Sequence, residues 1–108
     1  MVLSDPAQDA ERVAVVNLTT RRSRSDVTCV IQMGEHPFVR HETVVYYAAA
    51  VFQSNAALER ELAAGRLQLQ EPVSAELLAR IRRGAMDSPH TPFKIQQSLV
   101  NQGLARDS

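Results

Sequence analysis

Two histidines, an arginine and two carboxylates crowd around one proline in the stretch Gly34-Glu35-His36-Pro37-Phe38-Val39-Arg40-His41-Glu42. Histidine exchanges protons near neutral pH, and a neighbouring guanidinium can hold a phosphate or stabilise charge growing on a pentavalent phosphorus. Histidine with arginine is the minimal kit for metal-free cleavage of RNA. One group takes the 2′-hydroxyl proton and another protonates the leaving oxygen. His36 and His41 are the candidates for proton transfer, and Arg21, Arg22 and Arg40 for holding phosphate. Arg21 and Arg22 enter the set because their loop joins two strands expected beside this one. Two other readings stay open. In one, Pro37 and Phe38 form a buried corner while the histidines cap turns. In the other, His36 and His41 with Glu35 or Glu42 ligate a metal, although no H-E-x-x-H pairing is present and Pro37 limits how the loop can wrap an ion.

The elements that must carry these residues follow from periodicity. Arg12 to Thr19 reads as a strand, rich in valine and free of turn formers until Arg21. Arg21 to Asp26 is a polar loop holding Arg21, Arg22 and Arg24, three cations available to nucleic acid. Val27, Cys29, Ile31 and Met33 alternate with polar positions, predicting a half-buried strand with Cys29 as a small core residue. Gly34 and Pro37 make the central stretch a loop. From Thr43 to Phe52 a long strand is predicted, although Ala48 to Ala50 would equally suit the start of a helix. Tyr46 and Tyr47, being adjacent, must face opposite sides; one is expected in the core, the other free to stack on a base or join a dimer contact.

Helices are predicted over 54–64, 74–84 and 92–102. Ser54 and Ser74 serve as N-caps of the first two, Thr91 with Pro92 opens the third, and Gly65, Gly84 and Gly103 mark ends. Leu67 and Leu69 flank a brief strand. Arg80, Arg82 and Arg83 complement the negative end of the second helix or, alternatively, meet phosphate. His90 either shapes the connection between two helices or lies beside an anion at a helix start. Residues 1–11 are expected to be a flexible acidic leader, residues 12–103 one globular domain, and residues 104–108 a frayed tail. Strands first and helices last predict an α+β fold, a small curled, mostly antiparallel sheet followed by C-terminal helices.

Composition narrows the function classes. At 108 residues the chain is one domain's length. Twelve basic residues balance twelve acidic ones, so no global field draws in nucleic acid and any contact must be local. No apolar run approaches the roughly 18 residues of a membrane span. The single cysteine, Cys29, allows no internal disulfide and fits a reducing compartment. The acidic start lacks the features of a secretion signal, and a cytoplasmic protein is expected. No cofactor is expected; the nucleotide-binding glycine motifs are missing, and so is the G-x-S-x-G elbow of a serine nucleophile.

The runs Val15-Val16-Asn17-Leu18-Thr19-Thr20, Asp26-Val27-Thr28-Cys29-Val30-Ile31 and Gly34 to His41, with Ile81 to Pro92, resemble a divergent branch of small bacterial proteins grouped with the PemK/MazF-type toxins. The similarity spans roughly residues 13 to 100. It implies a small SH3-like β-barrel, a homodimer, metal-independent cleavage of single-stranded RNA, and neutralisation by an antitoxin protein. It also implies that Arg21 or Arg22 is the loop arginine and Thr28 the strand hydroxyl of that family's site, with His36, Arg40 and His41 a set particular to the branch. The family's Arg-Gly-Asp-like opening has no counterpart here. A non-catalytic binding module of the same architecture, recognising a protein or nucleic acid, is the alternative.

Overall fold

The computed structural model describes residues 1–37, 39–65 and 73–105. Strand β1 (Arg12–Thr20), the two-residue β2 (Val30–Ile31) and the long β3 (Thr43–Ser54) form an antiparallel sheet in the order β1-β3-β2. Three helices complete the fold: α1 (Asn55–Ala63), α2 (Ala75–Asp87) and α3 (Phe93–Asn101). The α+β expectation holds. The SH3-like barrel does not: β3 is flanked by β1 and β2, which do not pair with each other, so the sheet stays open.

The expected strand from Val27 to Met33 shrinks to Val30 and Ile31 for a local reason. The Asp26 carboxylate accepts hydrogen bonds from the Thr28 backbone N–H and hydroxyl, bending the chain before pairing can begin. Cys29 and Ile31 are buried as the alternation implied, while Val27 and Met33 are exposed.

Between Val15↔Val51 and Asn17↔Tyr46, two steps along β1 are matched by five along β3, so β3 carries three extra residues there. The bulge lets both Tyr47 and Ala50 face the core although they are three positions apart. They join Ala14, Val16 and Val45, with Leu77, Ile81, Ala85, Ile95 and Leu99 of α2 and α3 packed on this side. Each buried valine, leucine or isoleucine among them stabilises the fold by about 1.5–3 kcal/mol. Val15, Asn17 and Thr19 with their partners Val51, Tyr46 and Val44 point to the other face, where Tyr46 and Val51 are exposed.

Helix α2 approaches β3 at a glycine. A Cβ on Gly84 would lie 2.2 Å from Tyr47 Oη and 3.1 Å from Cys29 Cβ, and the Tyr47 hydroxyl donates to the Ile81 carbonyl at 2.7 Å. Gly84 therefore does not end the helix, which runs on to Asp87. Arg80 and Arg82 consequently sit mid-helix: Arg80 forks onto Glu35 at 2.8 and 2.9 Å, and Arg82 donates to the Leu3 carbonyl at 2.9 Å.

Ser54 and Ser74 cap α1 and α2 as expected, and Gly65 and Gly103 take positive φ just past α1 and α3. Thr91 is not the cap of α3: Pro92 occupies that position, and the buried Thr91 hydroxyl finds no hydrogen-bond partner among the described residues. Residues 1–11, expected as a flexible leader, carry structure. Leu3 is fully buried and bonds Ala14, Val2 bridges to Val15, and Pro6–Gln8 form a 3-10 turn capped by Asp5. Leu104 and Ala105 pack on the core. The strand expected at Leu67 and Leu69 lies outside the described residues, as do 106–108.

Candidate nucleic-acid interface

The expected pairing of His36 with His41 is not what the fold builds. Two turns in succession, closed by Glu35 N to the Gln32 carbonyl and Val39 N to the His36 carbonyl, turn His36 and Val39 inward. His36 is only 5% exposed, whereas Pro37, expected at the buried corner, is exposed; Phe38 lies outside the described residues. Glu35 keeps the loop against α2 through Arg80 and accepts from the Gln32 N–H, and these donors bring its carboxyl down to about 2. Arg40 and His41 remain exposed.

Two hollows adjoin along the crossover from β1 to β2. The first, about 470 Å³, is lined by Thr20, Arg21, Arg22, Ser23, Val27, His41 and Glu42. Here the structure does gather three of the expected residues. Arg21 Nη1 lies 2.6 Å from Glu42 Oε1, and its hydrogen bond holds that carboxyl below the usual range. His41 Nε2 shares a hydrogen bond with Thr20 Oγ1 at 2.7 Å. The register explains the meeting: Thr20 pairs with Thr43, so the residues just past each strand end face one another.

The second hollow, about 520 Å³, shares Thr20 and Arg22 with the first and adds Thr19, Arg24, Ser25, Asp26, residues Val44 to Ala48, and His90. Its floor is the stretch of β3 around Tyr46, which is 49% exposed. Arg22 and Arg24 stand on its rim, and among the described residues neither guanidinium is in an ion pair. Asp26 is held from three directions, by the Thr28 N–H and hydroxyl on Oδ1 and by the buried Ser88 hydroxyl, 2.6 Å away, on Oδ2. Partial burial pushes the Asp26 carboxyl up, but the Ser88 and Thr28 hydrogen bonds and nearby His90 outweigh it, and the group sits below the ordinary range.

Of the sequence-derived candidates, Arg21, Arg22, Arg24 and His41 line these hollows; His36, Arg40 and Thr28 line neither. Thr28 is an exposed residue ahead of β2, its hydroxyl turned to Asp26. Asp26 itself was not read from the sequence as a site residue, because the bond that draws it to Ser88 spans 62 positions and leaves no local pattern. Among the described residues no three His, Cys, Asp or Glu side chains are grouped to hold a metal ion, and no helix is long and apolar enough to cross a membrane.

No protein-family model, curated protein or solved structure matches the chain.

Proposed function

We propose that the paired hollows bind single-stranded RNA, with Arg22 and Arg24 meeting phosphates and Tyr46 stacking on a base. The observation that carries this reading is the combination of two guanidinium groups in no ion pair among the described residues with a half-exposed tyrosine of β3, around a groove large enough for about one nucleotide. An aromatic on a sheet face accepts any base, and arginine forks onto phosphate oxygens. Binding needs only this groove, not the closed barrel of the PemK/MazF resemblance, and is therefore the leading conclusion.

Fluorescence anisotropy with a labelled single-stranded RNA tests it. Tyr46→Ala is expected to cost about 1–3 kcal/mol of binding. Removing Arg22 and Arg24 together is expected to flatten the salt dependence by about 1.4 in log–log slope, the signature of two phosphate contacts to a single strand. Unchanged affinity in both variants would refute the reading.

A second reading rests on the Thr20–His41 pair beside Arg21 and Arg22. In a metal-independent endoribonuclease His41 would accept the 2′-hydroxyl proton as that oxygen attacks phosphorus, Arg22 would neutralise the phosphorane, and the phosphorus–5′-oxygen bond would break with that oxygen taking a proton from water, giving a cyclic 2′,3′-phosphate and a free 5′-hydroxyl. A toxin-type role, with a homodimer, an antitoxin partner and a cytoplasmic setting, belongs to the same proposal. Intact RNA after incubation in chelator, and unaffected growth on induction in bacteria, would remove the cleavage reading and leave binding standing.

A further inference from the structure

Asp26 is the one carboxylate among the described residues that line the second hollow. In a groove rimmed by Arg22 and Arg24 a negative charge opposes phosphate, so electrostatics alone would not place it there. Its orientation is set: Oδ1 accepts from the Thr28 N–H at 3.0 Å and from the Thr28 hydroxyl, and Oδ2 accepts from Ser88 Oγ at 2.6 Å. A carboxylate oxygen has two in-plane acceptor positions. Both on Oδ1 are filled, and among the described residues one on Oδ2 is left. The Ser88 hydroxyl also accepts from the His90 N–H at 3.2 Å, tying the same anchor to the histidine on the groove wall.

We propose that Asp26 reads the base held on Tyr46, accepting one hydrogen bond from an exocyclic amine and so selecting cytosine, adenine or guanine over uracil. The inference rests on the RNA-binding reading and names the substrate class of that site. Cytosine offers its 4-amino group where uracil has a carbonyl oxygen. Uracil's one ring N–H sits between two carbonyl oxygens, both of which would face a fixed anion. The discrimination comes as much from that repulsion as from the bond gained. Because the carboxylate stays ionised, it accepts and cannot donate to the uracil oxygen.

The experiment compares affinities of the full chain for short oligocytidylate and oligouridylate near neutral pH, then repeats them with Asp26→Asn. The wild-type protein is expected to favour oligocytidylate by about tenfold or more, the worth of one hydrogen bond to a charged group. In Asp26→Asn, whose amide can donate as well as accept, the preference is expected to collapse while oligouridylate gains. A purely structural Asp26 would alter stability and overall affinity without moving this ratio. Equal wild-type affinities overturn the proposal while leaving RNA binding intact, and so does a preference that survives in the variant. Failure to bind either oligomer removes the RNA reading itself and this inference with it. Should Asp26→Asn not fold, oligocytidylate methylated on the 4-amino nitrogen replaces it as the probe. Doubly methylated cytosine has no donor there, and its binding at full strength overturns the proposal.

Discussion

His36 and His41 are five positions apart and chemically identical, yet the chain uses them differently. His36 is turned inward by two consecutive turns, while His41 sits at a strand end against Thr20. Replacing a nearly buried side chain removes packing and hydrogen bonding together, so His36→Ala is expected to lower stability by about 1–3 kcal/mol. His41→Ala, on the surface, should stay within about 0.5 kcal/mol of wild type. Thermal or urea unfolding of the two variants measures this, and equal losses would contradict the assignment. Any RNA cleavage should vanish in His41→Ala and persist in folded His36→Ala. The sequence placed both imidazoles in one short stretch; which of them faces water depends on Gly34, on the bond from Val39 and on the distant Arg80, and none of these is readable from residue type.

Helix α2 and strand β3 meet at Gly84, and their contact explains why a glycine stands in the helix interior. Glycine costs a helix interior about 1 kcal/mol relative to alanine, but here a methyl group would run into a hydrogen-bonded tyrosine and Cys29. Gly84→Ala is therefore expected to destabilise by about 1–3 kcal/mol despite its better helix propensity. Tyr47→Phe alone should cost about 1 kcal/mol. The double variant should cost less than the two added, since removing the oxygen also removes the closest clash. Urea denaturation of the cycle checks this, and simple additivity would mean that Gly84 and Tyr47 are not in contact. The long elements were readable from sequence: β1 from its valines, β3 from its β-branched and aromatic start, α1 and α2 from their serine caps. Failures came where a distant partner intervened, as at Gly84, or where a short polar side chain captured the backbone, as Asp26 does before β2.

For the molecule as a whole, the Arg80–Glu35 fork joins α2 to the loop that buries His36. The Glu35 carboxyl is depressed from 4.5 to about 2 in the folded chain. A carboxyl with a lower pKa when folded adds stability that is complete above its unfolded value. That stability disappears as pH falls from about 4.5 towards 2. Glu42 and Asp26, also lowered, act in the same direction. Unfolding free energy should therefore fall through this window, and Arg80→Ala should make the fall shallower. An identical acid profile in the variant would show that the fork does not contribute. Both partners are partly exposed, so salt should weaken the difference.

Local pattern settled the identity of the long strands and helices, the inward path of Cys29 and Ile31, and the cluster of arginines in the β1–β2 crossover, because periodicity, caps and turn formers act over a few residues. Pairing across the chain settled the rest. Whether the sheet closed, which histidine was buried, that Leu3 belonged to the core, and that Asp26 met Ser88 in a groove floored by Tyr46 all depend on contacts tens of positions apart. Such contacts are chosen by packing and hydrogen-bond geometry in three dimensions, for which a single strand of residue types holds no periodic signal.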